Sequence, residues 1–319
     1  MSHAIVAGID DVNASYWNPS ALTKMDDKIQ LSYMHSNYFG GIGNYDYGSL
    51  GIKLDKNNAF AISFIRLGID GIPNTLDLIN NGRIDYDRIR EFSAVDYAFV
   101  TSYAQESSIE GLSYGANAKL IHRKAGDFAK AWGFGIDASA SYELDNGWKF
   151  GAIARDVTST FNAWKYSFTE SEKDVLAQTG NEIPRNSLEI TLPKFILGAG
   201  KAFDLGKNVG LYSEVDLDMT TDGKRNVLLR TNVLSIDPHL GVELDYMKLI
   251  YLRIGVGNIQ QVSNFEDQLE WTIQPNFGVG LALDKFVLDY ALTDVGDQSD
   301  VLYSHVFSLR FNLNSQSDN

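Results

Sequence analysis

The sequence predicts an all-β chain, a transmembrane up-and-down antiparallel β-barrel of about 14 strands. Three observations lead there. Apolar residues alternate with polar or tiny ones along most of the 319 residues. The links between alternating segments are short and long by turns. No run of about 18 or more apolar residues exists, so no helix of this chain can cross a bilayer.

The alternation is clearest over residues 271–283. Trp271, Ile273, Pro275, Phe277, Val279, Leu281 and Leu283 share one face, against Thr272, Gln274, Asn276, Gly278, Gly280 and Ala282. Period two of this kind means a strand with one apolar and one polar face. Residues 250–256, 132–144 and 303–313 repeat it. Similar segments lie near 28–38, 46–54, 59–67, 94–103, 111–121, 148–156, 194–203, 208–217, 239–246 and 286–292. Their lengths, roughly 9–12 residues, cross a bilayer at a tilt.

Alternation alone also fits a soluble sandwich. Aromatics at strand ends (Trp132, Tyr142, Trp148, Trp271) suit interfacial girdles instead. Gly, Ser, Asn and isolated charges on the other face suit a crowded lumen. Short links follow every second strand: Asp55–Asn58, Gln105–Glu110, Asp145–Gly147, Asp204–Lys207, Lys248 and Asp284–Lys285. Asn146-Gly147 favours a tight hairpin because both residues accept positive φ. Longer links are expected at about 68–92, 123–130, 157–187, 258–269 and 293–301, and 218–238 reads either as long strands around Asp222-Gly223 or as a loop. Short turns on one side and long loops on the other mark an outer-membrane barrel with both termini on the periplasmic side.

The expected organisation is an N-terminal segment 1–27, a barrel 28–313 and a periplasmic tail 314–319. Residues 1–27 do not alternate. Tyr16-Trp17-Asn18-Pro19 there needs something to pack on, which favours a plug in the lumen over a trailing tail. The first residues carry neither a basic segment nor a long apolar core, so the chain is read as a mature or trimmed form. Residues 169–178 suit a short helix with Thr169 as N-cap.

Composition excludes several function classes. There are no cysteines, hence no disulfide framework, thiolate metal site or cysteine nucleophile. A net charge of -14 repels phosphate backbones and argues against nucleic-acid binding. Gly111-Leu112-Ser113-Tyr114-Gly115 matches a nucleophile elbow in letters, but it lies inside an alternating strand and no helix follows. Asp216, Asp218 and Asp222 lack the ligand spacing of a calcium loop, and the five histidines are scattered. No catalytic, cofactor-binding or metal-binding residue is assigned, and the chain is not read as an enzyme.

Function is expected in the loops. Leu76, Leu78 and Ile79 in the first long link, and Phe161, Trp164, Tyr166 and Phe168 in the third, are large apolar side chains that must cover something. They are the candidate partner-binding residues.

Residues 7–22, from Ala7 through Asp10-Asp11, Tyr16-Trp17 and Asn18-Pro19-Ser20-Ala21-Leu22, resemble the N-terminal hatch signature of the PorV/PorQ family, FadL-like outer-membrane barrels. Ser20 and Ala21 stand where the family has Ala and Gly. His239–Glu243, Leu252–Gly255, Leu288–Ala291, Asp294–Gly296, His305–Phe311 and Leu192-Pro193 resemble its strand patterns. The resemblance implies a 14-stranded FadL-like barrel in the outer membrane of a Gram-negative, Bacteroidota-type bacterium. Asp10, Asp11, Tyr16, Trp17, Asn18, Pro19 and Leu22 would form its hatch. It implies an accessory role in type IX secretion or gliding, with a translocon or secreted protein bound by the loops. FadL-like relatives imply the alternative, a transporter with a hydrophobic ligand. Membrane lipid is a partner in either case, and no cofactor is implied.

Overall fold

The computed structural model describes residues 1–80, 83–263, 268–293 and 303–313. They form one closed antiparallel barrel of 14 strands. These are β1 Ile29–Tyr38, β2 Gly43–Lys53, β3 Asn58–Asn74, β4 Arg90–Glu106, β5 Leu112–Ala125 and β6 Ala129–Glu143. β7 has two pieces, Trp148–Arg155 and Thr160–Tyr166, and β8 has two, Ser187–Thr191 and Lys194–Gly206. β9 Val209–Thr220, β10 Ser235–Tyr246, β11 Ile250–Ser263, β12 Leu269–Leu283, β13 Phe286–Thr293 and β14 Ser304–Leu313 complete the wall. β1 pairs with β14 from Ile29↔Leu313 to Asn37↔His305, so the sheet has no free edge.

The short links at 54–57, 107–111, 144–147, 207–208, 247–249 and 284–285 gather at one end. Gly147 at the tight hairpin has φ +82°, the left-handed conformation its sequence promised. At the other end several loops are shorter than the alternation suggests. β5 and β6 stay paired out to Ala125↔Ala129, so the link 123–130 contracts to a turn at 126–128. β3 reaches Asn74 past a bulge between Ile69 and Ile72. Residues 160–166 belong to the wall rather than to a loop, paired with both β6 and β8. Around Asp222, residues 221–234 form a loop in which a two-residue strand, Leu229–Arg230, pairs back on β10. The capped helix is present: α1 of the loops, Glu170–Gln178, starts with Thr169 and Glu172 bonded reciprocally. The expected link 293–301, with Asp294–Gly296, lies almost wholly outside the described residues, as does 314–319.

The two faces of the wall separate by residue type. On β6, Trp132 and Phe134 are 53% and 52% exposed, while Ala131 and Asp137 are buried at 1% and 4%. Leu31, Ile62, Phe99, Leu252, Ile254, Phe277 and Val279 join the exposed apolar face, which is the face toward lipid. Toward the short-turn end, Trp148 stacks on Phe150, and Lys201 Nζ lies 5.1 Å from the Trp148 ring. Toward the other end, His122 stacks on Trp132 at 4.2 Å. These are the aromatic belts of two membrane interfaces.

Candidate functional site: a plugged lumen beside a bent strand

The lumen holds the N-terminal segment. Its short helical turn Ala14–Trp17 is followed by extended Asn18 and a 3-10 turn, Pro19–Lys24, which Pro19 starts with its fixed φ. Leu22 and Met25 are fully buried and pack with Ile9, Val12, Ala14 and Ala21 against Ala59, Ala61 and Ala104 of the wall. Small wall residues leave room for this apolar core. At several places, Gly115 and Gly151 among them, even a methyl group would not fit. A Cβ on Gly115 would overlap the backbone of Pro19 and Ser20, and one on Gly151 would overlap the Val6 carbonyl.

Polar groups of the wall satisfy the segment's backbone, as a buried chain requires. Asp216 accepts from the N–H groups of Ile5 (2.9 Å) and Val6 (3.0 Å), and Glu214 from that of Ala7 (2.6 Å). Gln30 accepts from Val12 N–H at 2.9 Å. Ser15 Oγ lies within hydrogen-bond distance of Tyr47, Ser49 and Ser63 (2.7, 3.1 and 2.8 Å). Ser20 N–H donates to Ser139, and Thr23 to Ser113, the serine of the elbow-like motif. Asp11 pairs with Arg310 and Lys24 with Glu143. Hydrogen bonds to charged groups contribute about 1.5–3 kcal/mol each.

Each residue assigned to the hatch by resemblance can now be placed. Asn18 donates to Val6 O (2.7 Å) and accepts from Ser20 Oγ (2.6 Å), folding the segment on itself. Pro19 and Leu22 are buried, Asp11 makes the Arg310 pair, and Asp10 is exposed within the barrel. Tyr16 and Trp17 pack edge to face at 5.0 Å, and Trp17 lies 5.4 Å from His3. Together they make an aromatic surface on the segment. His3 itself is accessible yet enclosed by protein. Its removal from bulk water, with His239 5.5 Å away, lowers its pKa from 6.5 to about 4.

Beside this surface the wall bends. β6 and β7 pair at Ala138↔Ala154 and again at Phe134↔Phe161, so β7 carries extra residues between the two. Asp156 and Ser159 take positive φ, 53° and 58°, to make the excursion. On the other side, Arg155↔Lys194 resumes only at Thr160↔Thr191. The bend points inward, where Asp156 bonds Lys119 and Thr160, and its N–H donates to Asp137 (2.9 Å). Lys119 also pairs with Asp137 at 2.6 Å. Asn117 bridges this cluster to the segment, donating to Asp137 and to Ser15 O. Arg155, at the bend, donates to Tyr16 O at 3.0 Å, with its guanidinium 4.6 Å from the Tyr16 ring and 5.9 Å from Trp17. The bent strand and the aromatic surface are therefore joined by one side chain.

Nearer the long-loop end, inward aromatics form a row: Trp164, Tyr166, Phe168, Phe128 and Phe92, each ring 5.2–6.5 Å from the next. Trp164 donates to Glu189 and lies under Arg123 (5.0 Å). Trp164 and Tyr166 thus belong to the inner wall, Phe168 follows in the loop, and Phe161 faces lipid, 44% exposed. Leu76 and Leu78 are half-buried in the loop 75–89, and Ile79 pairs with Ile84 in a two-residue ribbon there. Of these candidates Trp164, Tyr166 and Phe168 come together in one row, while Phe161 takes the opposite face of the wall. Arg155, Lys119, Asp137 and Asp156 are residues sequence reasoning did not single out. For Arg155, Lys119 and Asp137 the only signal was charge on the lumen-facing phase of a strand; Asp156 lies on the bend, outside that phase.

No protein-family model matches the chain, and no curated protein matches its sequence. Solved structures do match. The toluene transporter TodX of Pseudomonas putida is 13% identical, with 98% of this chain and 97% of that one covered and a TM-score of 0.59. The toluene transporter TbuX of Ralstonia pickettii is 12% identical over 97% and 95%, TM-score 0.56. A Pseudomonas aeruginosa FadL homologue is 12% identical over 97% and 96%, TM-score 0.55. The fold is the FadL-like outer-membrane barrel.

Proposed function

We propose that this chain is a channel for small hydrophobic molecules in the outer membrane of a Gram-negative bacterium. The N-terminal segment is its plug, and the bend in β7 is the place where a molecule leaves the lumen sideways. The observation that carries the reading is the Arg155 junction, where one side chain holds both the plug's Tyr16-Trp17 surface and the bent strand. The aromatic row from Phe92 to Trp164 gives an apolar molecule a place to bind before it reaches the plug. Likeness to barrels described as toluene transporters supports the same class of cargo. The test is accumulation of labelled toluene and of a labelled long-chain fatty acid by cells that lack their own hydrophobic channels. Uptake above the empty-vector rate is expected for at least one. Empty-vector rates for both would reject the reading.

A second reading keeps the accessory role in type IX secretion, with a protein bound at the loops. Ile84 and Tyr86, 61% and 71% exposed in the loop 75–89, favour it. Removing that loop would then abolish co-purification of a translocon or secreted protein while leaving uptake intact.

A further inference from the structure

The outer surface of β5, β6 and β7 carries a row of lysines. Lys124 is the register partner of Lys130, and Lys130 that of Lys165. All three are exposed. They point outward, because their strand neighbours Arg123, Ala131 and Trp164 take the inward phase. Residues directly opposed on adjacent strands bring their Cβ atoms to about 5 Å, and like charges placed so repel. Here three sit side by side in a chain with 41 acidic and 27 basic residues. Among the described residues, no carboxylate lies within ion-pair distance of Lys130 or Lys165, and Lys124 has only Asp127, fully exposed at the hairpin tip, at 3.3 Å.

What lies beneath the row says what covers it. One register step toward the membrane centre come His122 and Trp132, stacked. One step further come Leu120, Phe134 and Phe161, each more than 40% exposed. The surface therefore reads, from outside inward, as cations, an interfacial aromatic, then an apolar wall. That is the order of an anionic lipid standing in the leaflet, with its headgroup on the ammonium groups and acyl chains on Leu120, Phe134 and Phe161. The row stands at the long-loop end, which is the cell exterior in an outer-membrane barrel. We infer that Lys124, Lys130 and Lys165 form a binding site for the phosphate groups of a phosphorylated outer-leaflet glycolipid of the lipid A type.

This site does not depend on the transport reading, since it lies on the opposite face of the wall. The test uses native mass spectrometry of the full chain in detergent, titrated with bis-phosphorylated lipid A and with its dephosphorylated form. Wild type is expected to hold the phosphorylated lipid at least tenfold more tightly. At about fivefold per lysine, the triple variant Lys124→Gln, Lys130→Gln, Lys165→Gln should lose about 100-fold. Lys201→Gln, which alters a cation at the other interface, should lose nothing. Heat-dependent migration on gels establishes that each variant is a folded barrel. Equal binding of the two lipids, or a triple variant that binds as wild type does, would overturn the inference.

Discussion

The plug meets two kinds of wall. On the side of β2–β4 it is held by neutral contacts: the Ser15 hydroxyl among Tyr47, Ser49 and Ser63, and Leu22 and Met25 against alanines. The strands behind those contacts pair without interruption, from Lys53↔Ala59 to Gly43↔Ile69. On the side of β5–β8 charge is added to the neutral contacts Ser20–Ser139 and Thr23–Ser113: Arg155 on Tyr16, and Asn117 on a Lys119–Asp137–Asp156 cluster. There the ladder is broken on both sides of β7. A continuous ladder resists deformation. At the bend Val157 N–H still bonds Ile136 O of β6 at 2.9 Å, and side chains make the other bonds to the wall. We therefore assign anchoring to the first side and movement to the second.

The comparison breaks most completely if the plug is expelled. Gly151→Val places a branched side chain where the Val6 carbonyl lies. The barrel should still form, since Gly151 keeps its strand pairing, but the pore should open. Influx of a large hydrophilic antibiotic is expected to rise tenfold or more. Unchanged influx would mean that residues 1–27 do not close the lumen.

A smaller effect is expected at the junction. Arg155→Gln loses a charged hydrogen bond worth about 1.5–3 kcal/mol, so the released plug should become 10- to 100-fold more populated. Cleavage of the N-terminal segment by an added protease would report it. Arg155→Lys should fall between, because it keeps the charge without the planar fork. A Ser15→Ala variant, on the continuous side, should change the same readout less than Arg155→Gln does.

The smallest effect concerns acidity. His3 has a folded pKa of about 4 against an ordinary value of 6.5, set by burial first and by His239 second. The released form then binds the proton more readily, so docking is full above pH 6.5 and weakens as pH falls toward 4. These two pKa values set an upper limit of roughly 30-fold between pH 7.5 and pH 5. Because the ring is accessible to lumen water, protease sensitivity should rise only a fewfold, and His3→Gln should flatten the difference. Asp218, Lys194 and Arg155 also face the ring, and they are unaltered in that variant.

Much of the barrel was legible because period two survives wherever one face meets lipid and the other a crowded lumen. Fourteen segments, their apolar faces and the short turns all follow from that rule. It fails where a strand departs from it. The bulge at Asp156–Ser159 inserts extra residues, so the second piece of β7 loses phase and reads as loop. Phe161, Trp164 and Tyr166 were therefore expected in one exposed loop, whereas the wall turns Phe161 to lipid and the other two inward. The lysine row was hidden for the same reason, its members falling in two separate expected links. Gly115 and Gly151 read as small lumen residues, and only the folded chain shows plug backbone against them.

The central claim is that the plug moves for cargo to pass, and the chain's lack of cysteine makes a direct test simple. Thr23→Cys with Ser113→Cys puts two thiols where the hydroxyls are 3.1 Å apart, and oxidation would tie the plug to β5, on the side assigned to movement. Uptake of whichever of toluene and the long-chain fatty acid the wild type carries should drop to the empty-vector rate in the oxidised variant and recover on reduction. Full uptake with the crosslink in place would contradict a moving plug.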